Sequence, residues 1–285
     1  MEPSAGYPFS LCQPDPAKSC GACCGLYNWE DHSRATLTSL LQRRTDLFLS
    51  LGDRLDLDRY RRSYEASPKN PKLLETIYNC EFLGFIDRAH RRVGCFLHPA
   101  NQHGVDRRGG SFYGAELCGG HFCPSFTCLT PVEQQAVLRA VDDWYLYGIV
   151  ITDIDLVKEF LKEVQNRLGE GLRPDRLRDF PVQTALSDFF RLKESWKFAS
   201  PKRRLGKYFF TQSEYQIAHL EYEKKWGMKP SRFDKILVSL SSEFGSREDV
   251  EEAETIIEER INKLVEAYQS RCSGRISERG LGNWG

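Results

Sequence analysis

Ten cysteines are the residues in this chain whose types and spacing could do chemistry, and nine of them fall between Cys12 and Cys128. Cys20-Gly-Ala-Cys23-Cys24-Gly is the densest group. A C-x-x-C turn projects two sulfurs to one side at about the separation of one edge of a metal site, and Gly21 lets amides approach them. The same spacing occurs in thioredoxin-like redox pairs, but those need a strand before the motif and a helix after it. Here the preceding CQPDPAKS is a proline-broken loop, so metal chemistry is the better reading. Adjacent Cys23 and Cys24 do not easily chelate one tetrahedral ion together, so Cys24 is expected to serve another metal atom, another site or the core.

Further ligands must come from a distance. Cys80 precedes EFLGFID, and Cys95 follows Val93-Gly94 and precedes Phe-Leu-His98-Pro. Cys118, Cys123 and Cys128 recur at five-residue intervals in CGGHFCPSFTC, where glycine freedom lets the chain wrap a centre. Cys128 leads into a helix and reads equally well as a buried thiol. His98, His103 and His121 could each replace a thiolate, although His98-Pro99 and His103-Gly104 look like solvated turns.

CGACC, the later Cys80 and Cys95 contexts and the final cysteine group resemble the YkgJ-type cysteine-cluster family, a zinc- or iron-chelating domain written around eight cysteines. The resemblance covers about residues 12–128. Matching positions are Cys20, Cys23, Cys24, Cys80, Cys95 and Cys118, with Cys12 and Cys123 completing the set. Seven residues separate Cys12 from Cys20, a longer spacing than the family pattern, and Cys128 is extra. The resemblance implies metal binding through these eight cysteines without implying a reaction. A related cluster in flagellin lysine methylases makes a modifying enzyme the alternative. Eight thiolates fit two closed zinc sites of four cysteines each, or one cubane with cysteines to spare. A [4Fe–4S] cluster is the first expectation, because neighbouring sulfurs can reach different irons, and zinc is the second.

The elements that position these residues differ sharply along the chain. Residues 36–51 place Leu37, Leu40, Leu41, Leu47, Phe48 and Leu51 at helical spacing, with Gly52 as a stop. Residues 78–126 show neither a sustained helical period nor alternation, and so long an irregular stretch needs something to hold it. From Thr130 the texture turns helical. Thr130-Pro-Val-Glu133 is a capping box on a helix running to about Tyr147, and similar signatures stand at Thr152/Asp155, Thr211/Glu214, Ser231/Asp234 and Ser246/Asp249. The last opens a face of Val250, Ala253, Ile257, Ile261, Leu264 and Tyr268. The expected fold is therefore mainly α: an irregular, cysteine-rich, metal-held region (1–129) packed on an array of five or six helices (130–285), either as two regions or as one continuous domain.

Composition bounds the partners. The 285 residues carry 40 Lys+Arg against 40 Asp+Glu, which disfavours a whole-chain grip on nucleic acid or an anionic membrane. No apolar run reaches the roughly 20 residues of a membrane span. The opening MEPSAGYPFSLC lacks a basic flank and an apolar stretch, so a cytoplasmic location is expected. One local exception is residues 191–207, where seven basic residues face only Glu194 and aromatics are interleaved. That patch offers a nucleic-acid contact as a further alternative, against a plainer reading as helix end and core. Asp142-Asp143 and Asp153/Asp155 read as helix caps and solvated carboxylates. Nucleotide-binding and hydrolase motifs are absent.

Overall fold

The computed structural model describes residues 10–52, 55–66, 70–201 and 220–270. Over these residues the chain is mainly helical. Its first helix, α1 (Arg34–Leu49), starts where the Ser33 side chain accepts the Thr36 amide, and its Leu37, Leu40 and Leu41 are buried. A second helix, α2 (Leu57–Glu65), was not legible in sequence: LDRYRRSYE is mostly charged and buries only Tyr60. Two three-residue strands, β1 (Leu83–Phe85) and β2 (Val93–Cys95), then pair antiparallel, with Leu83 opposite Cys95 and Gly84 opposite Gly94. Short helices α3 (Gly114–Gly120) and α4 (Pro124–Cys128) close the cysteine-rich region.

The helical region contains five helices of eight or more residues among those described: α5 (Pro131–Ala140), α6 (Trp144–Ile151), α7 (Ile154–Leu168), α8 (Phe180–Phe190) and α12 (Arg247–Gln269). Three shorter ones are α9 (Leu192–Ser195), α10 (Tyr222–Trp226) and α11 (Asp234–Ser239). Both reciprocal capping boxes form, at Thr130/Glu133 and Ser246/Asp249. The six predicted face residues of α12 are all buried, against α8 and α7.

Three details depart from the expected pattern. The helix opened by Thr130 does not run to Tyr147; it stops at Ala140, and the Asp143 carboxylate starts α6 by accepting the Tyr145 and Leu146 amides. The cap of α7 is Asp153 and not Thr152, whose hydroxyl bonds back to the Gly148 carbonyl. Asp153 is also not solvated. It is wholly buried and paired with the buried Lys193 ammonium at 2.6 Å, which donates as well to the Ser239 carbonyl. The Thr211/Glu214 signature, Cys272 and the chain end lie outside the described residues.

One hydrophobic core contains residues from Leu11 through Tyr268, drawing on both regions. Helix α6 is its post: every residue from Trp144 to Ile151 is buried. Tyr147 donates to the Leu11 carbonyl at 2.8 Å, and Tyr145 to the His32 carbonyl at 2.9 Å. Tyr27 donates to the Tyr145 carbonyl at 3.1 Å, an approach that leaves room only for glycine at 148, since a Cβ there would lie 2.1 Å from the Tyr27 oxygen. A smaller core of Leu51, Tyr60, Cys80, Phe82, Phe96 and Leu97 sits under α1 and the hairpin.

Candidate metal centre

The CGACC segment forms a single 3-10 turn over Ala22–Cys24. Residues three apart eclipse in such a turn, whereas neighbours are rotated by about a third of a circle. The turn therefore sends Cys23 and Cys24 in different directions. Gly25 ends it with φ 78°, and a Cβ there would stand 2.4 Å from the Tyr78 carbonyl oxygen, so glycine is required. The segment is pinned to β2 by the Ser19 hydroxyl, which accepts the Val93 amide at 2.6 Å. Gln13 adds a second tie: its amide donates to the Val93 carbonyl at 2.7 Å and its oxygen accepts from Arg92.

On one side of the turn, the Cys20 amide donates to the Cys12 carbonyl at 2.9 Å, and the Ala22 amide approaches the Cys20 sulfur at 3.5 Å. Cys23 meets Cys123, thiol to thiol. Cys123 immediately precedes α4, and the amides of Ser125 and Phe126 lie near enough to its sulfur to favour the thiolate. The Ser125 hydroxyl stands beside that sulfur as well, yet it is buried and makes no hydrogen bond of normal geometry.

On the other side, the Cys80 amide donates to the Cys24 carbonyl at 2.9 Å. Cys80 belongs to the smaller core, and Cys24 and Cys95 pack against it. The Phe82 amide favours a charged Cys80 sulfur, and the Leu97 and His98 amides do the same for Cys95. Cys118 lies in α3, 3.5 Å from the Ser111 hydroxyl, and Arg108 donates to its carbonyl at 3.2 Å. Cys24 feels the charges of Cys80, Cys95 and Cys118, and also that of Cys12 across the turn.

All the expected ligands except Cys80 line one cavity of about 480 Å³. Among the described residues, however, no group of three or more His, Cys, Asp or Glu side chains is assembled in the geometry of a metal site. The thiols are gathered but not closed around a point. Their electrostatics give a reason. Burial, and then like charge from neighbouring thiols, pushes Cys12 up to about 11 and raises Cys20 and Cys24 well above the usual range. Burial, and then the Glu81 carboxylate, pushes Cys80 up to about 12. Cys95 is raised by burial. Cys123 goes the other way, lowered by its hydrogen bond from Cys23 against the effect of burial. Crowded and buried in this way, the raised thiols stay protonated, and a cation bound among them would be what lets them carry charge together.

The donor set fits a metal group. It offers soft sulfur ligands, amide protons directed at several of them, and at Ser125 a buried hydroxyl beside a sulfur. All nine described cysteines are free thiols. Cys128, half-buried at the end of α4, packs against the main core and is not among the cavity's lining residues. His103 is an exposed loop residue with φ 52°. His98 is exposed and caps a 3-10 turn by accepting the Ala100 amide. Both His98 and His121 line the cavity, and burial lowers the pKa of each. Sequence reasoning missed Arg108, which stands over Cys95 and Cys118 and pairs with Asp106 at 2.6 Å. Its only signal was a basic pair in a glycine turn.

The 191–207 segment reads differently once folded. Lys193 is buried against Asp153, Trp196 and Phe198 are in the main core, and Lys197 pairs with Glu252. Lys202, Arg203, Arg204 and Lys207 lie outside the described residues. Among the described residues no helix is long and apolar enough to cross a membrane. No family model, curated protein or solved structure matches this chain.

Proposed function

We propose that this chain is a metal-binding cysteine-cluster protein, in which Cys12, Cys20, Cys23, Cys24, Cys80, Cys95, Cys118 and Cys123 hold zinc or an iron–sulfur cluster in a structural or electron-transfer role. One observation carries the reading. Thiols separated by more than a hundred residues are drawn around a single cavity, unoxidised, with amides directed at their sulfurs. Without metal the raised thiols stay protonated, and a bound cation would displace those protons and couple its binding energy to folding.

The test is metal and acid-labile sulfide content after purification without oxygen, on the wild type and on Cys20→Ser and Cys23→Ser. Metal present in the wild type and sharply reduced in both variants supports the reading. Wild-type metal content in both variants, or no metal in any of the three, overturns it.

A second reading has one specific observation behind it. The cavity is larger than a single ion needs, and His98, His121, Arg92 and Arg108 share its wall with the cysteines. That is room for a substrate, as a cluster-bearing modifying enzyme resembling a protein methyltransferase would require. Saturable binding of a lysine-containing peptide, competed by substitution of His121, would favour it.

A further inference from the structure

We infer that the eight thiols form two separate tetrathiolate sites divided at the Cys23–Cys24 peptide bond, each taking one soft divalent ion such as zinc. The outer site is Cys12, Cys20, Cys23 and Cys123; the inner site is Cys24, Cys80, Cys95 and Cys118. The inference rests on the proposal that these cysteines bind metal, and it decides between the two arrangements that eight thiolates allow.

Backbone geometry makes the division. A 2.9 Å hydrogen bond ties the chain at Cys20 to Cys12, and an equivalent bond ties Cys80 to Cys24. These ties sit on opposite sides of one 3-10 turn, in which consecutive side chains diverge. Cys123 joins the first pair through its contact with Cys23. Cys95 joins the second through the small core that it shares with Cys80 and Cys24. Cys118 completes the second group, facing Cys24 and Cys95 from α3.

Each set also carries the same local device. An amide two residues after a cysteine turns toward that cysteine's sulfur at Cys20 and Cys123 in the outer set, and at Cys80 and Cys95 in the inner set. Four thiolates around one divalent ion carry a net charge of about −2, and such donors spread that charge. Arg108 adds a full positive charge beside the inner set, of which Cys80 is buried. Contact between the Cys23 and Cys123 thiols suits two corners of one ion. A cubane spaces its cysteine sulfurs farther apart, with inorganic sulfide between them.

The sites differ in access. Cys12 keeps exposed surface as a residue although its thiol is buried enough to be raised, whereas Cys80 is buried throughout among Tyr60, Phe82 and Leu97. The outer ion should therefore leave first.

Cobalt(II) is the probe, because sulfur-to-cobalt charge-transfer absorption counts tetrathiolate sites directly. Metal-free full-length protein is titrated under anaerobic conditions, alongside Cys12→Ser, Cys123→Ser, Cys95→Ser, Cys118→Ser and the double variant Cys123→Ser/Cys95→Ser. Only variants that retain the wild-type far-ultraviolet helical signal are counted, and each site has two variants so that one misfolded protein does not decide the result. Expected are about two equivalents for the wild type, about one for every single variant and none for the double variant. A chelator should then remove the wild-type metal in two phases, with only the slow phase left in Cys12→Ser. Singles that all fall to zero, or a wild type that saturates at one equivalent, would overturn the division. Iron with stoichiometric acid-labile sulfide in the native protein would overturn it too, while leaving the metal-binding proposal standing. A native protein without metal, whose apo form takes up no cobalt, would sink that proposal itself.

Discussion

Gly84→Ala tests whether the hairpin positions the inner ligands, because it changes no thiol. Gly84 pairs with Gly94 in the β1–β2 hairpin, and a Cβ at residue 84 would lie 2.0 Å from the Phe96 ring carbon Cζ. Ordinary carbon contacts are about 3.5–4.0 Å, so roughly 1.5 Å or more of movement is required. Phe96 has little freedom to supply it: its ring is 5% exposed and stacks on Phe48 with centroids 4.4 Å apart. Overpacking of this kind costs about 1–3 kcal/mol, an appreciable part of a typical total of about 5–15 kcal/mol. Because Phe96 directly follows Cys95, relief of the clash must shift Cys95 away from Cys80 and Cys24. We expect a Tm lower by a few degrees and the loss of about one metal equivalent, taken from the inner site. Gly120→Ala is the matched control, since its Cβ meets nothing within 4 Å although it lies two residues from Cys118; it should keep both stability and metal. Differential scanning fluorimetry with cobalt titration measures both effects. Retention of full metal and an unchanged Tm in Gly84→Ala would refute the reasoning. A lowered Tm with full metal would show that the hairpin supports the core without placing Cys95.

Lys193→Met strands the buried Asp153 carboxylate, and breaking such a pair costs about 3–5 kcal/mol; urea denaturation should show that loss, with metal content unchanged in the folded fraction. In metal-free protein at neutral pH, Cys123 should be alkylated by iodoacetamide before its neighbours, because the Cys23 thiol stabilises its thiolate while burial keeps Cys12, Cys20 and Cys24 protonated; peptide mapping after short exposure would contradict this if Cys20 or Cys24 reacted first. Those raised thiols also fix the sign of the pH dependence. A group protonated in the apo form must release its proton to bind metal, so affinity rises with pH, and a competition titration showing equal affinity at pH 6 and pH 8 would rule the raised thiols out.

The helices with long apolar periods were legible because their signals are local. The face of α12 and the reciprocal boxes at Thr130 and Ser246 depend only on residues within a turn or two of one another. The β1–β2 hairpin was not legible, because LGF and VGC are too short for alternation and are buried on both faces of the pleat by α1 and by Cys95's neighbours. Helix α2 was hidden by its charge, and the break between α5 and α6 by an aspartate that reads as helix interior until its side chain caps the next segment. Asp153 does cap α7, as its position suggests, but its burial against Lys193 was not legible because that partner is 40 residues away. The cysteines could be recognised as a set by type and by the CGACC spacing. The division proposed for them could not be read, since it depends on which distant backbone hydrogen-bonds to each side of one turn. Only the awkwardness of adjacent Cys23 and Cys24 pointed toward it.

The helical region explains how a loop-rich segment can hold thiols together before any ion arrives. Ordering an irregular backbone costs about 1–2 kcal/mol per residue, and the smaller core under the hairpin is modest in extent. The balance comes from α6, whose buried face supplies three tyrosine-mediated ties to Leu11, His32 and Tyr27. These ties act on the chain just before Cys12 and, at Tyr27 and His32, on the chain that follows the CGACC turn, so one helix holds the segment on both sides of it. The inner ligands are instead placed by α1, α2 and the hairpin: Thr45 accepts the Phe85 amide, Arg44 donates to the Leu83 carbonyl, and Tyr60 donates to the Glu81 carbonyl beside Cys80. Two different parts of the fold thus present two sets of sulfurs to one turn. If the two proposed sites are occupied, a scaffold built in this way would let one be emptied without unfolding the frame of the other.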